Sequence, residues 1–257
     1  MTSARSPQMG ASRRGPVKNQ TTTATCCSRS SDCCDRFGRR ARPEPDHGVR
    51  EFTEAATWQV PAGIIRVTVE LWGSGGGGAG GNAATTRTGP RGAGGGGGSA
   101  GAYVRTSLAV KPGQVYTIRV GAGGAGGRGE GREAAQPGAD GQETALVLHE
   151  RVVLSASGGR GGGAPKRGDR RGGGGGAGGG IAEATTTRLV RPGNPGLRGD
   201  DADVSEGIST SGGKGSAAVL GTVQPPWSVG GHGDGGMNFG YSDAGRPGGA
   251  GSVVITW

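Results

Sequence analysis

Aromatic residues are scarce in this chain: three Phe, four Trp and three Tyr among 257 residues. That excludes a large conventional core, because aromatic rings supply much of the buried area in ordinary domains. Cysteine is absent after Cys34, so no disulfide can staple the bulk of the chain. The four cysteines, Cys26, Cys27, Cys33 and Cys34, are spaced as CC-x5-CC. Zinc sites favour CxxC-type pairs, often with His, and vicinal cysteines pair poorly with each other. The histidines are His47, His149 and His232, and none stands at metal spacing. No cofactor or metal is therefore expected. No apolar run approaches the roughly 20 residues of a membrane span. No signal peptide is expected either, since no apolar stretch of the needed length follows the early arginines.

Glycine is what the chain has in excess. It holds 62 Gly and 14 Pro, about three residues in ten, a range in which unperiodic sequence is usually disordered. Gly also loses the most conformational freedom on ordering. If the Gly runs are ordered, backbone hydrogen bonds and close packing must replace side-chain packing. The net charge is +9, but nine basic and four acidic residues fall within residues 1–48, giving that segment +5 and the remainder +4. The basicity that would point to nucleic acid or an anionic surface is thus concentrated at one end.

Residues 1–50 are rich in Ser, Thr, Arg and Pro without apolar periodicity, and read as a disordered basic tail. A start site chosen too far upstream would explain them equally, a hypothesis that an intact N-terminus at Met1 or Thr2 would reject. From residue 51 the texture changes. Ile65, Val67, Val69 and Leu71 alternate with Arg66, Thr68, Glu70 and Trp72, the period of a half-buried strand. Phe52-Thr53 and Trp58-Gln59-Val60 form a shorter extended piece that ends at the Pro61-Ala62-Gly63 turn. Residues 103–110 and 115–120 are β-rich, and Lys111-Pro112-Gly113-Gln114 between them reads as a hairpin turn. Weaker strands are predicted over 144–148 and 152–156, and a last one over 252–257. No capped segment of period 3.6 predicts a helix.

The Gly segments between these strands repeat in threes. Gly89, Gly92, Gly95, Gly98 and Gly101 keep that spacing, as do Gly193, Gly196 and Gly199, Gly230, Gly233 and Gly236, and Gly245, Gly248 and Gly251. An extended left-handed helix of the polyproline II type has three residues per turn, rises about 3.1 Å per residue and makes no internal hydrogen bonds. Packed side by side, such helices can pair their outward N–H and C=O groups, provided Gly lines the contacts. Chance spacing among so many glycines is the competing explanation. Collagen is disfavoured, since no Gly-x-y run exceeds a few triplets. The expected fold is all-β: a small β-sandwich over residues 51–257 carrying a bundle of short polyglycine-II helices.

Several ordered strings carry a resemblance. They are Phe52-Thr53, residues 57–63, residues 67–78, Gly94–Gly98, Ala102-Tyr103-Val104, residues 108–124, Gly138-Ala139-Asp140-Gly141-Gln142-Glu143-Thr144, and the closing residues 251–257. In this order they resemble the glycine-rich domain of phage tail fibres and tail-tip adhesins, which also occurs in bacterial proteins. The resemblance implies a polyglycine-II sandwich whose inter-helix loops contact a cell-surface receptor, protein or carbohydrate, at a virion tail or cell surface. The chain departs from it in that its inserts are not all short and aromatic, and its first 48 residues do not read as a trimeric fibre or assembly domain.

Receptor contacts are expected in the inserts. The most chemically loaded holds Trp227, His232, Asp234, Asn238, Phe239 and Tyr241, where aromatics beside Asp and Asn suit recognition. Trp227 and Phe239 could equally fill core. Arg87 and Arg91 form a second candidate, and Lys166, Arg167 and Arg170 a third, against the alternative of solvated loop charge. Trp58, Trp72, Tyr103, Tyr116 and Trp257 read as framework, their rings covering bare Gly backbone. Catalysis finds little support, and no enzyme is expected. Residues 121–126 satisfy G-x-G-x-x-G, but no helix follows. A ligand-free structural surface protein is one alternative. Arg-Gly-Gly RNA binding through Arg160-Gly161-Gly162 and Arg171-Gly172-Gly173 is another, although two copies without interleaved aromatics are few for that mode.

Overall fold

The computed structural model describes residues 47–83, 92–179, 188–202, 212–219, 221 and 242–257, and among them the fold is all-β, with no helix. The strands are β1 (Val49–Phe52), β2 (Ala56–Gln59), β3 (Arg66–Trp72), β4 (Tyr103–Ala109), β5 (Val115–Arg119), β6 (Thr144–Leu148), β7 (Arg151–Ala156), β8 (Arg188–Arg191) and β9 (Ser252–Thr256). They form two sheets, β1-β9-β3-β4-β8 and β2-β5-β6-β7, and every pairing is antiparallel.

Alternation builds the core. Val67, Val69 and Leu71 of β3 and Val253 and Ile255 of β9 meet Trp58 of β2, Tyr116 and Ile118 of β5, Leu146 of β6 and Leu154 of β7 in one buried cluster. Each sheet thus buries one face against the other, the arrangement of a sandwich. Trp58 is the centre of the small aromatic inventory, with Tyr116 at 6.0 Å and Trp257 at 5.7 Å between ring centroids.

The outer face of β3 is also covered, which the half-buried pattern did not predict. Trp72, Tyr103, Val219 and Val254 form a second cluster there. Trp72 Nε1 donates to the Val219 carbonyl at 2.9 Å, and the Tyr103 hydroxyl donates to Glu70 Oε2 at 2.6 Å. Burial pushes the Tyr103 phenol well above its ordinary value, and the Glu70 hydrogen bond pushes it the same way. Gly221 lies against these rings: an ideal Cβ on it would meet Trp72 Cζ2 at 2.3 Å. Ile65, by contrast, stands before the strand and is 72% exposed.

The expected hairpin of residues 103–120 does not form. The turn itself is present, with Gln114 N donating to the Lys111 carbonyl at 3.0 Å and Gly113 at φ +78°. Yet β4 pairs with β3 and β8, whereas β5 pairs with β2 and β6. Val110 N donates to the Ile65 carbonyl and Gly113 N to the Val60 carbonyl, so the incoming and outgoing arms are held by different sheets. The turn carries the chain across the sandwich and sets the apolar faces of β4 and β5 against each other. A turn signal fixes a reversal of direction, not the partner. The two-residue hairpin lies instead between β6 and β7, where Leu148 faces Arg151 across His149 (φ 47°) and Glu150 (φ 64°). Strand β8 was not expected at all.

The Gly segments are excursions from the sandwich. Residues 73–82 leave β3 and residues 92–102 return to β4; residues 121–130 and 136–143 do the same between β5 and β6. Hydrogen bonds run between segments with a period of three. Gly73, Gly76, Ala79 and Asn82 donate to the carbonyls of Ala102, Ser99, Gly96 and Ala93. Ser74, Gly77 and Gly80 donate to Gln142, Ala139 and Gln136, and Gly75 and Gly78 to Gly249 and Arg246. Successive residues therefore address neighbours on three sides in rotation. Residues 92–102 do likewise: Gly94, Gly97 and Ala100 donate to Asp200, Leu197 and Asn194, while Gly96, Ser99 and Ala102 donate to Gly163, Arg160 and Ser157.

Burial follows the same period. Residues 73–82 and 92–102 are wholly buried, and outer segments bury every third residue: Gly121, Gly124, Gly127 and Glu130, or Gly213, Ser216 and Val219. The Asp-Gly-x-x-Thr step serves this lattice: Asp140 Oδ1 accepts from Gly161 N at 2.9 Å, and buried Thr144 Oγ1 accepts from Gly121 N at 3.1 Å.

Candidate binding end of the glycine lattice

Because each excursion leaves the sandwich and comes back, its turns gather at the far end. Asn82–Ala83 and Gly92, the turn of residues 130–136, the loop of residues 163–172, Asp200–Ala202, Gly212 and Ser242 all fall there, opposite the ends that join the strands. Charge gathers there too, with Arg128, Arg132, Lys166, Arg167, Arg170, Arg171 and Arg198 set among Glu130, Glu133, Asp169, Asp200, Asp201 and Asp243. The shaft between is rich in Gly and Ala, with exposed Asp140, Glu143, Arg160, Lys214 and Arg246 along it.

A buried carboxylate ties the turns together. Glu130 Oε1 pairs with Arg167 Nε at 2.9 Å, and its Oε2 accepts from Ala83 N at 2.9 Å. Glu130 N is shared between Ser242 Oγ at 2.8 Å and the Gly81 carbonyl at 3.0 Å, and Ser242 Oγ donates to that same carbonyl. Asn82 Nδ2 donates to the Lys166 carbonyl at 2.6 Å and the Asp169 carbonyl at 3.3 Å, pinning the loop of residues 163–172 to the central segment. A charge this buried needs such partners to offset its desolvation. Nearby, Arg198 pairs with Asp201, whose Oδ1 also accepts from Gly172 N at 2.8 Å.

Of the residues singled out in the sequence, Lys166, Arg167 and Arg170 stand on this end, on exposed loop positions. Arg167 spends its guanidinium on Glu130, so it is an anchor of the loop. The Arg170 carbonyl accepts from Ala202 N at 2.6 Å. Arg87, Arg91, Trp227, His232, Asp234, Asn238, Phe239 and Tyr241 lie outside the described residues, as do residues 1–46 with the four cysteines. Sequence reasoning missed Asn82, Glu130 and Ser242. The available signal was polarity at a buried position of the three-residue period, as at Glu130.

The described residues bring no three of His, Cys, Asp and Glu together as a metal site, and they contain no helix long and apolar enough to cross a membrane. What the end offers is a rigid platform of loops with exposed guanidinium, ammonium and carboxylate groups.

A β-sandwich that carries a hydrogen-bonded glycine bundle defines a class of non-helical, glycine-rich domain. The chain belongs to the glycine-rich domain family, whose family model matches residues 51–257. No curated protein matches the chain.

Proposed function

We propose that this chain is a non-enzymatic binding module, in which a polyglycine-II scaffold presents loops to a cell-surface receptor in the manner of a phage tail fibre or adhesin. The observation that carries the reading is the convergence of the turns at one end of the lattice, tied by Glu130, Asn82 and Ser242. Binding surfaces are commonly built from loops on a rigid scaffold. The three-residue hydrogen-bond and burial periods support the polyglycine-II description of that scaffold. Lys166 and Arg170 are the described candidates for receptor contact, and Arg87, Arg91, Trp227, His232, Asp234, Asn238, Phe239 and Tyr241 complete the set. Binding of labelled full chain to intact bacterial cells tests the reading. Charge reversal at Lys166 and Arg170 should reduce binding at least tenfold without changing the thermal midpoint. Unchanged binding would remove these loops from the contact.

The ligand-free structural alternative predicts no saturable binding to any cell. The RNA alternative is disfavoured because both Arg-Gly-Gly copies lie within the lattice: Gly162 N donates to the Gly77 carbonyl and Gly173 N to the Gly94 carbonyl, each near 2.9 Å. Disordered Arg-Gly segments bind RNA through free backbone and side chains. A gel shift at low salt would revive that alternative.

A further inference from the structure

The turn of residues 130–136 does more than reverse the chain. It borders a cleft of about 260 Å³ lined by Arg128, Arg132, Glu133 and Gln136 together with Gly129, Gly131 and Ala134. That volume falls just below the roughly 300–1,000 Å³ of sites for drug-sized ligands, so it suits a single ring or a terminal group. We propose that this cleft takes the carboxylate-bearing ring of an acidic sugar.

The walls fit that chemistry. Two guanidiniums supply planar forks of donors that match a carboxylate. Glu133 accepts hydrogen bonds only, and hydroxyls adjacent to the carboxylate are its natural donors. Gln136 both donates and accepts. A neutral sugar would leave both guanidiniums without their partner. A bare phosphate would gain the guanidiniums but lacks the ring hydroxyls that would donate to Glu133. The backbone of the cleft is fixed before any ligand arrives. Gln136 N donates to the Arg128 carbonyl at 2.8 Å, Gly131 N to the Glu133 carbonyl at 3.0 Å, and Glu130 N to the Gly81 carbonyl at 3.0 Å. Prior ordering lowers the entropic cost of binding.

Gly131 offers a clean perturbation. An ideal Cβ there meets nothing within 4 Å, and its φ is not left-handed, so a larger side chain enters open space at the cleft without strain. This differs from buried lattice glycines such as Gly76, Gly77 and Gly124, where an added Cβ strikes backbone.

The proposal deepens the receptor-binding reading and rests on it for its biological sense. The test is an amide NMR titration of the full chain with sodium glucuronate, with glucose and inorganic phosphate in parallel. Glucuronate should shift the amides of residues 128–136 saturably and bind at least tenfold more tightly than either control. Arg132→Ala should weaken it at least tenfold. Gly131→Leu should abolish it while the remaining spectrum stays unchanged. Equal binding of glucuronate and glucose, equal binding of phosphate, or full binding by Gly131→Leu would each overturn the cleft. Cell adhesion separates the two readings. Wild-type adhesion that Gly131→Leu retains, with no glucuronate binding, removes the cleft and leaves the module. Glucuronate binding without adhesion to any cell leaves the cleft and removes the receptor reading.

Discussion

Replacing Gly77 by Ala adds one carbon at the centre of the lattice. An ideal Cβ there would lie 2.0 Å from the Ala125 carbonyl oxygen and 2.5 Å from its carbon. Since real Cβ atoms do not approach within 3.0 Å, the segments must part by at least 1 Å. Two hydrogen bonds flank the contact and hold the same pair of segments, Gly124 N to Gly75 O at 2.9 Å and Gly127 N to Gly78 O at 2.8 Å. Opening by 1 Å stretches both beyond bonding distance. The two bonds hold four buried groups, and each left unpaired costs about 1–3 kcal/mol, so the substitution should cost at least about 4 kcal/mol in total. Typical domains have only about 5–15 kcal/mol of stability, and the variant should be largely unfolded or strongly destabilised. Gly174→Ala is the control, because its Cβ meets nothing within 4 Å and the position is exposed. It should change stability by less than about 1 kcal/mol, with stabilisation favoured through the unfolded chain. Equilibrium urea denaturation of both full-length variants, followed by Trp fluorescence, reads the difference. The two variants unfolding at the same midpoint would refute the lattice, because a disordered Gly segment has no preferred position for a methyl group.

Other consequences are local. Tyr103→Phe removes a donor from buried Glu70 and should cost about 1–3 kcal/mol by denaturant titration. Because the Tyr103 phenol titrates above its ordinary 10.0 when folded, its contribution is fully present below pH 10 and is lost as pH rises beyond it. The wild type should therefore lose more stability between pH 10 and 12 than Tyr103→Phe does. Replacing His149-Glu150 by Asn-Gly relieves two left-handed non-Gly residues in the β6–β7 turn, and should raise the thermal midpoint by the equivalent of about 1 kcal/mol. Glu130→Ala should cost about 1–3 kcal/mol, and Arg167→Ala, which leaves the buried Glu130 carboxylate without its cation, should cost a similar amount although the Arg167 side chain is itself 63% exposed. An unchanged denaturation midpoint in both variants would contradict the anchoring role of Glu130.

The strands were legible from the apolar alternation of residues 67–71 and the β-branched run of residues 253–255, although the burial of both their faces was not. The β4–β5 connection was misjudged because turn chemistry is local and sheet partnership is not. Strand β8, with only Arg188-Leu189-Val190-Arg191, is too short to show alternation and is defined by β4 beside it. The outer cover of Trp72 and Tyr103 by Val219 was invisible, since these residues lie far apart in sequence. The three-residue Gly period was legible, and it coincides with the period of hydrogen bonding among the described segments. The charged loop of Lys166, Arg167 and Arg170 was also legible, but the division of labour within it was not. Arg167 differs from its neighbours only because Glu130, 37 positions away in the chain, comes to lie beside it.

The central claim is that the Gly segments are held by backbone bonds to their neighbours. Native-state amide hydrogen exchange measures this directly at Gly76, Gly77, Ala79, Gly96, Gly97 and Ser99, whose N–H groups all donate between segments. The account predicts opening free energies close to that of global unfolding for these amides. Exchange at the rates of an unstructured chain would contradict it.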